Sequence, residues 1–321
     1  MATVTISTEG ELIKEYWRDM FINELRENLV FSGWGLMGSH PKNQGELVHW
    51  LSMADFSAST KLTEGTDPTE TNLSAGDQTA VLAQYGQTVK MSDILLETWI
   101  PQSYNEVLKR LARVAAAEVD TVIRDTCFTA GGSAQYCGTA VARNSIASDG
   151  SFDYDIAEIR EAIHSLEANA AQPYPDGLYR GIIHQDIKYD LQGDTANWQE
   201  ILKNTESGMQ DMRTFGNAAS SGSGKGVIGR LFGVEFIMAN QGALLLDGSG
   251  SASTDVYQSY VFGPEHYGVS DFYGAKVIIK NPNPVSTLDL YATVGFKLAF
   301  ASKQLDAKRM VRLEGGSTLG T

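Results

Sequence analysis

Gln84-Tyr85-Gly86-Gln87-Thr88-Val89-Lys90-Met91-Ser92-Asp93 marks the place where the chain passes from extended to helical patterning. Upstream, Thr79, Val81, Ala83 and Tyr85 share one parity, and Val89 and Met91 continue it. That alternation predicts a strand from Thr79 to Met91 with one face turned inward. A second strand is predicted from Glu46 to Met53. Between the two lies a polar, turn-rich stretch from Thr60 to Glu70, with Gly65 and Pro68 inside it. Connections beyond about 12–15 residues are uncommon in compact domains, and they are either functional or loose surface loops. Downstream, Pro101 opens a long helix that Ser103 or Asn105 can cap. Leu108, Leu111, Ala115, Val119 and Val122 follow at spacings of three and four, the stripe of a helix with one buried face. It runs from about Tyr104 to Cys127, roughly 35 Å at the α-helical rise, and stops before Gly131-Gly132.

Toward the N-terminus, Leu12, Tyr16, Met20, Ile22, Leu25 and Leu29 predict a helix from about Glu11 to Val30, closed by Gly33, Gly35, Gly38 and Pro41. Such a helix on an arm needs an apolar partner elsewhere, in its own subunit or in another. Toward the C-terminus, Asp155 is a helix cap, with Glu158 placed for a capping box. Ile156, Ile159, Ile163 and Leu166 form that helix's stripe, and Pro173 and Pro175 end it. A short buried strand is predicted from Tyr179 to His184. Short helices are predicted over Asp186 to Leu191 and around Trp198 to Leu202. Gly216 to Gly226 and Gly248 to Thr254 are Gly/Ser-rich loops. Strands are predicted at Gly233 to Met238, Ala275 to Lys280, Leu288 to Phe300 and Met310 to Leu313, with Asn281-Pro282-Asn283-Pro284 as a turn. Helices and strands do not alternate regularly, which makes the class α+β.

The chain has 321 residues, 42% of them hydrophobic, enough for one large domain or two lobes. Its formal net charge of −14 argues against a nucleic-acid clamp, which needs a basic face, but does not exclude a container for DNA, whose wall can be acidic or neutral inside. Behind Met1 there is no basic region followed by an apolar stretch, so no secretory signal is read. No apolar run approaches the roughly 20 residues that span a bilayer. Cys127 and Cys137 fit no zinc spacing; they are two free thiols or a local bridge across the Gly131-Gly132 turn.

No catalytic constellation emerges. His40, His49, His164, His184 and His266 share no metal-ligand spacing. His184-Gln185-Asp186 is half a catalytic pair at most, with no serine or cysteine elbow to complete it. Its simpler reading is an imidazole bonded to backbone at a strand end. Gly222-Ser223-Gly224-Lys225-Gly226 lacks the Ser or Thr that a phosphate loop places after its lysine. Glu64, Asp67 and Glu70 lack the order of a calcium loop and read as solvated. The expectation is a protein without catalytic residues, cofactor or metal.

Several segments resemble a known family, the major capsid proteins typified by the N-four-type phage coat protein, with the Hong Kong 97 phage capsid fold. Leu62-Thr63-Glu64-Gly65-Thr66-Asp67-Pro68 is similar to its Leu-x-Glu-Gly-x-x-Pro segment, and residues 84–93 to its Gln-Tyr-Gly…Val…Ser-Asp block. Tyr179 to Leu191 resembles its His-Pro-Asp-Val-x-Tyr-Asp-Leu segment, with Gln185 where proline is usual. Gly226 to Phe236 looks like its Gly-x-Ile-Gly-Arg-x-x-Gly-Val-x-Phe block. Gly295-Phe296-Lys297 stands where the family has Gly-Trp-Lys. The matches fall in the family's order along nearly the whole chain.

The resemblance implies an N-terminal arm (1–55), an extended loop reaching over a neighbour (56–92), and a peripheral domain built on the long helix (93–177). An axial domain (178–274) and C-terminal strands returning to the peripheral sheet (275–321) complete it. It implies a shell subunit that forms hexamers and pentamers of an icosahedral head around double-stranded DNA, and a shell that matures by domain rotation. Implied partners are further copies of the chain, a portal, and scaffolding or cement proteins, with assembly in the host cytoplasm and no membrane. Leu62, Glu64, Gly65, Pro68 and Tyr85 are the implied intersubunit contacts. An encapsulin-like nanocompartment shares the fold and is the main rival. A soluble enzyme and a surface adhesin are more distant ones.

Overall fold

The computed structural model of the chain describes residues 18–25, 29–41, 43–53, 61, 64–65, 75–98, 103–129, 132–147, 150–193, 227–239, 245–246, 254–280 and 290–319. The first helix, α1, is described over residues 18–25. Leu29 and Val30 are already outside it, so the predicted end at Val30 was too late. Three sheets follow. The first runs β1-β11-β12-β4, from Leu36–Ser39, Tyr267–Lys280, Tyr291–Gln304 and Ala83–Ser92. The second runs β5-β13-β10-β6-β8-β7, from Ser133–Tyr136, Met310–Gly315, Val256–Phe262, Tyr179–Ile183, Val234–Met238 and Val227–Leu231, with β9 (Leu245–Leu246) also on β10. The third is a pair, β2 (Leu47–Met53) with β3 (Ala75–Val81).

The strand predicted from Thr79 to Met91 is therefore two strands. They part at Leu82, and β3 and β4 belong to different sheets. The parity was sound: along β4, Ala83, Tyr85, Val89 and Met91 are the more buried positions. The C-terminal strands divide between the two large sheets. Only β12 joins the four-stranded sheet with β11, whereas β13 lies in the seven-stranded sheet between β5 and β10. β11 itself runs across position 274, and α4 (Ile156–Ala168) packs on β13 and β10.

The long helix is α3 (Ser103–Ile123), preceded by the short α2 (Asp93–Thr98). Leu108, Leu111, Ala115 and Val119 are buried on it and Val122 is partly buried, as the spacing requires. Arg110 and Glu106 pair at 3.1 Å on its exposed face. The last turn widens into a π-helical turn, Arg124–Thr129, which places Cys127 and Phe128 both inside. On α4 the buried set is Ile156, Ile159, Ala162 and Leu166, and Ile163 is only partly covered. Asp155 caps α4 as predicted, accepting from the Ile156 N–H. Glu158 does not close a capping box; it accepts from the Gly138 N–H at 3.0 Å. α5 covers Gln185–Gly193. The stretches around Trp198 to Leu202, Gly216 to Gly226 and Asn281 to Pro284 lie outside the described residues, as do Gly248 to Ser253.

Two apolar clusters sandwich β10. Tyr260 and Phe262 join α3, β4, β11 and β12 on one side. Tyr257 and Val261 join α4 and α5 on the other. The segment after α1 is threaded through the first cluster. Asp120 on α3 accepts the N–H of Val30 at 2.9 Å and of Phe31 at 3.1 Å. Tyr267 donates to the Phe31 carbonyl and Tyr174 to that of Trp34. The Arg180 guanidinium lies 4.6 Å from the Trp34 ring and 4.9 Å from that of Tyr174.

Truncating a buried leucine costs about 2–5 kcal/mol, so Leu111→Ala should sharply lower the melting temperature of the unassembled subunit, read by calorimetry. Asp120 supplies a second expectation. Burial pushes its carboxyl up to about 6, against the bonds from Val30 and Phe31 and the charge of Arg124. A carboxyl raised on folding stabilises most below its unfolded value and loses that contribution as pH rises through about 6. Relative to Asp120→Asn, the native chain should therefore lose about 2 kcal/mol between pH 4 and pH 7 in denaturant titrations.

Candidate intersubunit surface

The β2–β3 pair projects two unlike faces. Toward the subunit, Val48 is buried and Trp50 is half-buried. Trp50 comes so near β11 that a Cβ on Gly268 would lie 2.6 Å from its Nε1; a glycine is required there. Away from the subunit, Leu47, Leu51 and Val81 are exposed by 48%, 69% and 60%. Leu47 stands opposite Val81, and Leu51 opposite Asp77, in the antiparallel register. His49 Nδ1 and Asp77 Oδ2 close at 2.7 Å on the same face. Exposed large aliphatic side chains in a row form an apolar patch of the kind that marks an interaction surface. Among the described residues, β2 and β3 pair only with each other.

This surface continues onto β1, an edge strand whose residues are all exposed, Met37 by 62%. A groove of about 500 Å³ separates β1 from β2, lined by Leu36, Met37, His40, Leu47 and Trp50 among others. A second groove, of about 360 Å³, runs between β4 and α3 over Val89, Met91, Leu95, Val107, Arg110 and Val114.

Of the residues singled out by sequence, Glu64 and Gly65 form an exposed turn. Gly65 has φ +80° with open space around its Cβ position, so the backbone conformation is what calls for glycine there. Leu62 and Pro68 lie outside the described residues. Tyr85 is half-buried on β4, opposite Leu298, with its ring 5.2 Å from that of Phe300. Burial, with Glu118 nearby, raises its hydroxyl above the usual range. The structure thus engages Tyr85 within its own chain. Leu47, Leu51 and Val81 were not singled out, although the run Leu47-Val48-His49-Trp50-Leu51 is apolar at both parities, the signature of a strand covered on both faces.

The groups with chemical potential are held in structural roles. His184 Nδ1 accepts the Asp186 N–H at 3.3 Å and lies 3.2 Å from its Oδ2, to which Tyr257 also donates at 2.9 Å. Burial lowers the His184 imidazole, although the Asp186 charge works against it. Cys127 and Cys137 are buried free thiols, which removes the local bridge. Burial pushes Cys127 up to about 12 and Cys137 well above the ordinary value, so neither supplies a thiolate. Among the described residues no group of three or more His, Cys, Asp or Glu could hold a metal ion, and no helix is long and apolar enough to cross a membrane.

No protein-family model matches the chain, and no curated protein sequence does. Solved structures do. The capsid of Ralstonia phage GP4 superposes with a TM-score of 0.69 at 13% identity, over 91% of this chain and 88% of that one. The capsid asymmetric unit of cyanophage Pam1 gives 0.61 at 14%, over 87% of each. A virus-like particle from Pyrococcus furiosus gives 0.52 at 9%, over 94% and 99%. At these identities the likeness is one of fold, and the chain has the α+β Hong Kong 97-type fold of phage capsid subunits.

Replacing Leu51 by Lys on the exposed face should change subunit stability by no more than about 0.5 kcal/mol, and Glu64→Ala should change it as little. Both are read by thermal melts. An unfolded Leu51→Lys subunit would show that this face is internal.

Proposed function

We propose that the chain is the major capsid protein of a tailed-phage head, assembling into hexamers and pentamers of a closed icosahedral shell around double-stranded DNA. The observation that carries this is the length of the likeness. A capsid chain matches over 91% of this chain and 88% of its own length. In this reading α3 and the four-stranded sheet form the peripheral part. The seven-stranded sheet with α4 and α5 forms the axial part, and β2–β3 is the root of the extended loop. Leu62, Glu64, Gly65, Pro68 and Tyr85, with Leu47, Leu51 and Val81 added, are the proposed contacts between copies. Contacts of modest strength sum over a closed lattice, so none needs to be strong. The net charge of −14 keeps the wall from binding packaged DNA. Portal, scaffolding and cement proteins are further partners, and assembly takes place in the host cytoplasm before the subunit becomes part of the virion. Its work is assembly and not catalysis.

An encapsulin-like compartment is the second reading, favoured only by the likeness to the Pyrococcus furiosus particle, whose TM-score is the lower at 0.52. Electron microscopy of the purified chain should show closed shells or ring-shaped capsomers. Particles from infected cells should hold double-stranded DNA, and protein cargo in its place would favour the compartment. A chain that sediments as a monomer in every salt and crowding condition would end both.

A further inference from the structure

The four-stranded and seven-stranded sheets are crossed by the turn 263–266, from β10 to β11, and by residues 305–309, from β12 to β13. The two crossings are bonded side by side: the Gly263 N–H donates to the Arg309 carbonyl at 2.9 Å and the Leu305 N–H to the His266 carbonyl at 2.8 Å. They form one hinge line, about which packed layers can turn. The N-terminal segment adds a contact of another kind. On both sides of Trp34 it belongs to the first sheet. Upstream, Asp120 of α3 holds Val30 and Phe31, and Tyr267 of β11 holds the Phe31 carbonyl. Downstream, a Cβ on Gly35 would strike the Tyr267 ring, and β1 runs beside β11 from Leu36 opposite Gly268 to Ser39 opposite Asp271.

Trp34 itself meets the second sheet. Its ring lies 4.6 Å from the Arg180 guanidinium and 6.2 Å from the Tyr174 ring, edge to face, and its carbonyl accepts from the Tyr174 hydroxyl at 2.8 Å. Tyr174 sits in the turn that leads into β6, where its N–H donates to the Leu178 carbonyl at 3.1 Å. Arg180, on β6, is buried and fixed from behind. Its Nη2 meets Asp176 at 2.7 Å, and its Nη1 lies 3.1 Å from Glu235 of β8. Glu235 is buried too, and Arg230 of β7 reaches it at 3.3 Å. Each side of the contact is therefore held rigidly within its own sheet. A cation over a ring is attracted by a broad quadrupole field, whereas a hydroxyl–carbonyl bond weakens steeply off its angle. The stack supplies strength, and the Tyr174 hydroxyl supplies register.

We propose that Trp34 is a conformational lock: through Arg180 and Tyr174 it fixes the angle between the two sheets, which turn about the 263–266 and 305–309 crossings when it is released. The lock is a property of the single chain and does not depend on whether the chain forms shells.

Pulsed electron paramagnetic resonance on the purified full chain tests this. Spin labels at Val114→Cys on α3 and Tyr189→Cys on α5 report the separation of the two sheets, since both positions are exposed while Cys127 and Cys137 are buried. Labelled chain is diluted into unlabelled chain, so that distances between copies do not contribute. With Trp34 present the labels should give one narrow distance. In Trp34→Ala a second distance should grow about tenfold in population, the scale of losing one desolvated cation–π contact. Tyr174→Phe keeps the ring and removes the bond to the Trp34 carbonyl, so it should broaden the same distance. A pair within the first sheet, Val114→Cys with Ile278→Cys, should be unchanged in both variants. Identical inter-sheet distributions with and without the Trp34 ring overturn the lock. Equal broadening of the within-sheet pair, the mark of general loosening, overturns it as well. Should Trp34→Ala not fold, Tyr174→Phe decides, and an inter-sheet distance as narrow as the native one overturns the proposal.

Discussion

Phe128 is the point to which the rest of the molecule is registered. Its ring lies 5.0–5.2 Å from those of Phe31, Tyr260, Phe262, His266 and Tyr267. These rings come from the segment after α1, from β10, from the turn between the sheets and from β11. Each such aromatic pair contributes roughly 0.5–1.5 kcal/mol beyond the area it buries. More to the point, the cluster fixes where α3 ends relative to both sheets. The hydrogen bonds from Asp120, Tyr267 and Tyr174 then hold residues 30–34 across it, so the N-terminal segment is part of the packing and not an appendage to it.

The seven-stranded sheet is held by a buried polar centre of its own. Glu314 is fully buried on β13 and is met by Arg143 through two bonds of 2.7 and 2.6 Å, by Arg312 at 2.8 Å and by Gln258 at 3.0 Å. Burial alone would raise its carboxyl, yet the two arginines and Gln258 hold it below the ordinary value. A charge in that position is tolerable only when so matched. The partners come from widely separated parts of the chain, so the same centre joins residue 143 to the C-terminal strand.

What the sequence disclosed follows from periodicity, and what it hid follows from burial on two faces. α3 was legible because Leu108, Leu111, Ala115 and Val119 face one core while the opposite side is wet. β10 was not legible, although it is central to its sheet. Both of its faces are covered, and Gln258 and Ser259 interrupt the apolar run without being exposed; the polar partner that makes Gln258 acceptable, Glu314, is 56 residues away. The β3–β4 division turned on Leu82 alone, below what alternation can resolve. At the surface, the Glu64-Gly65 turn was legible from glycine chemistry. The fate of Tyr85 was not, because its neighbour Phe300 lies on a strand whose pairing no local pattern announces. The exposed row on β2 did leave a signal, in the double parity of Leu47 to Leu51.

The π-helical turn at Arg124–Thr129 has a consequence for how this chain can change length over evolution. The wider turn admits one residue more than an α-helical turn would, and that extra residue lets Cys127 and Phe128, adjacent in sequence, both face inward. Removing a single residue there would restore regular helical phase and swing Phe128 away from its ring of partners. Length is the conserved quantity to look for in relatives: the exposed positions 125 and 126 should drift in composition, while Phe128 and the number of residues in the turn resist change.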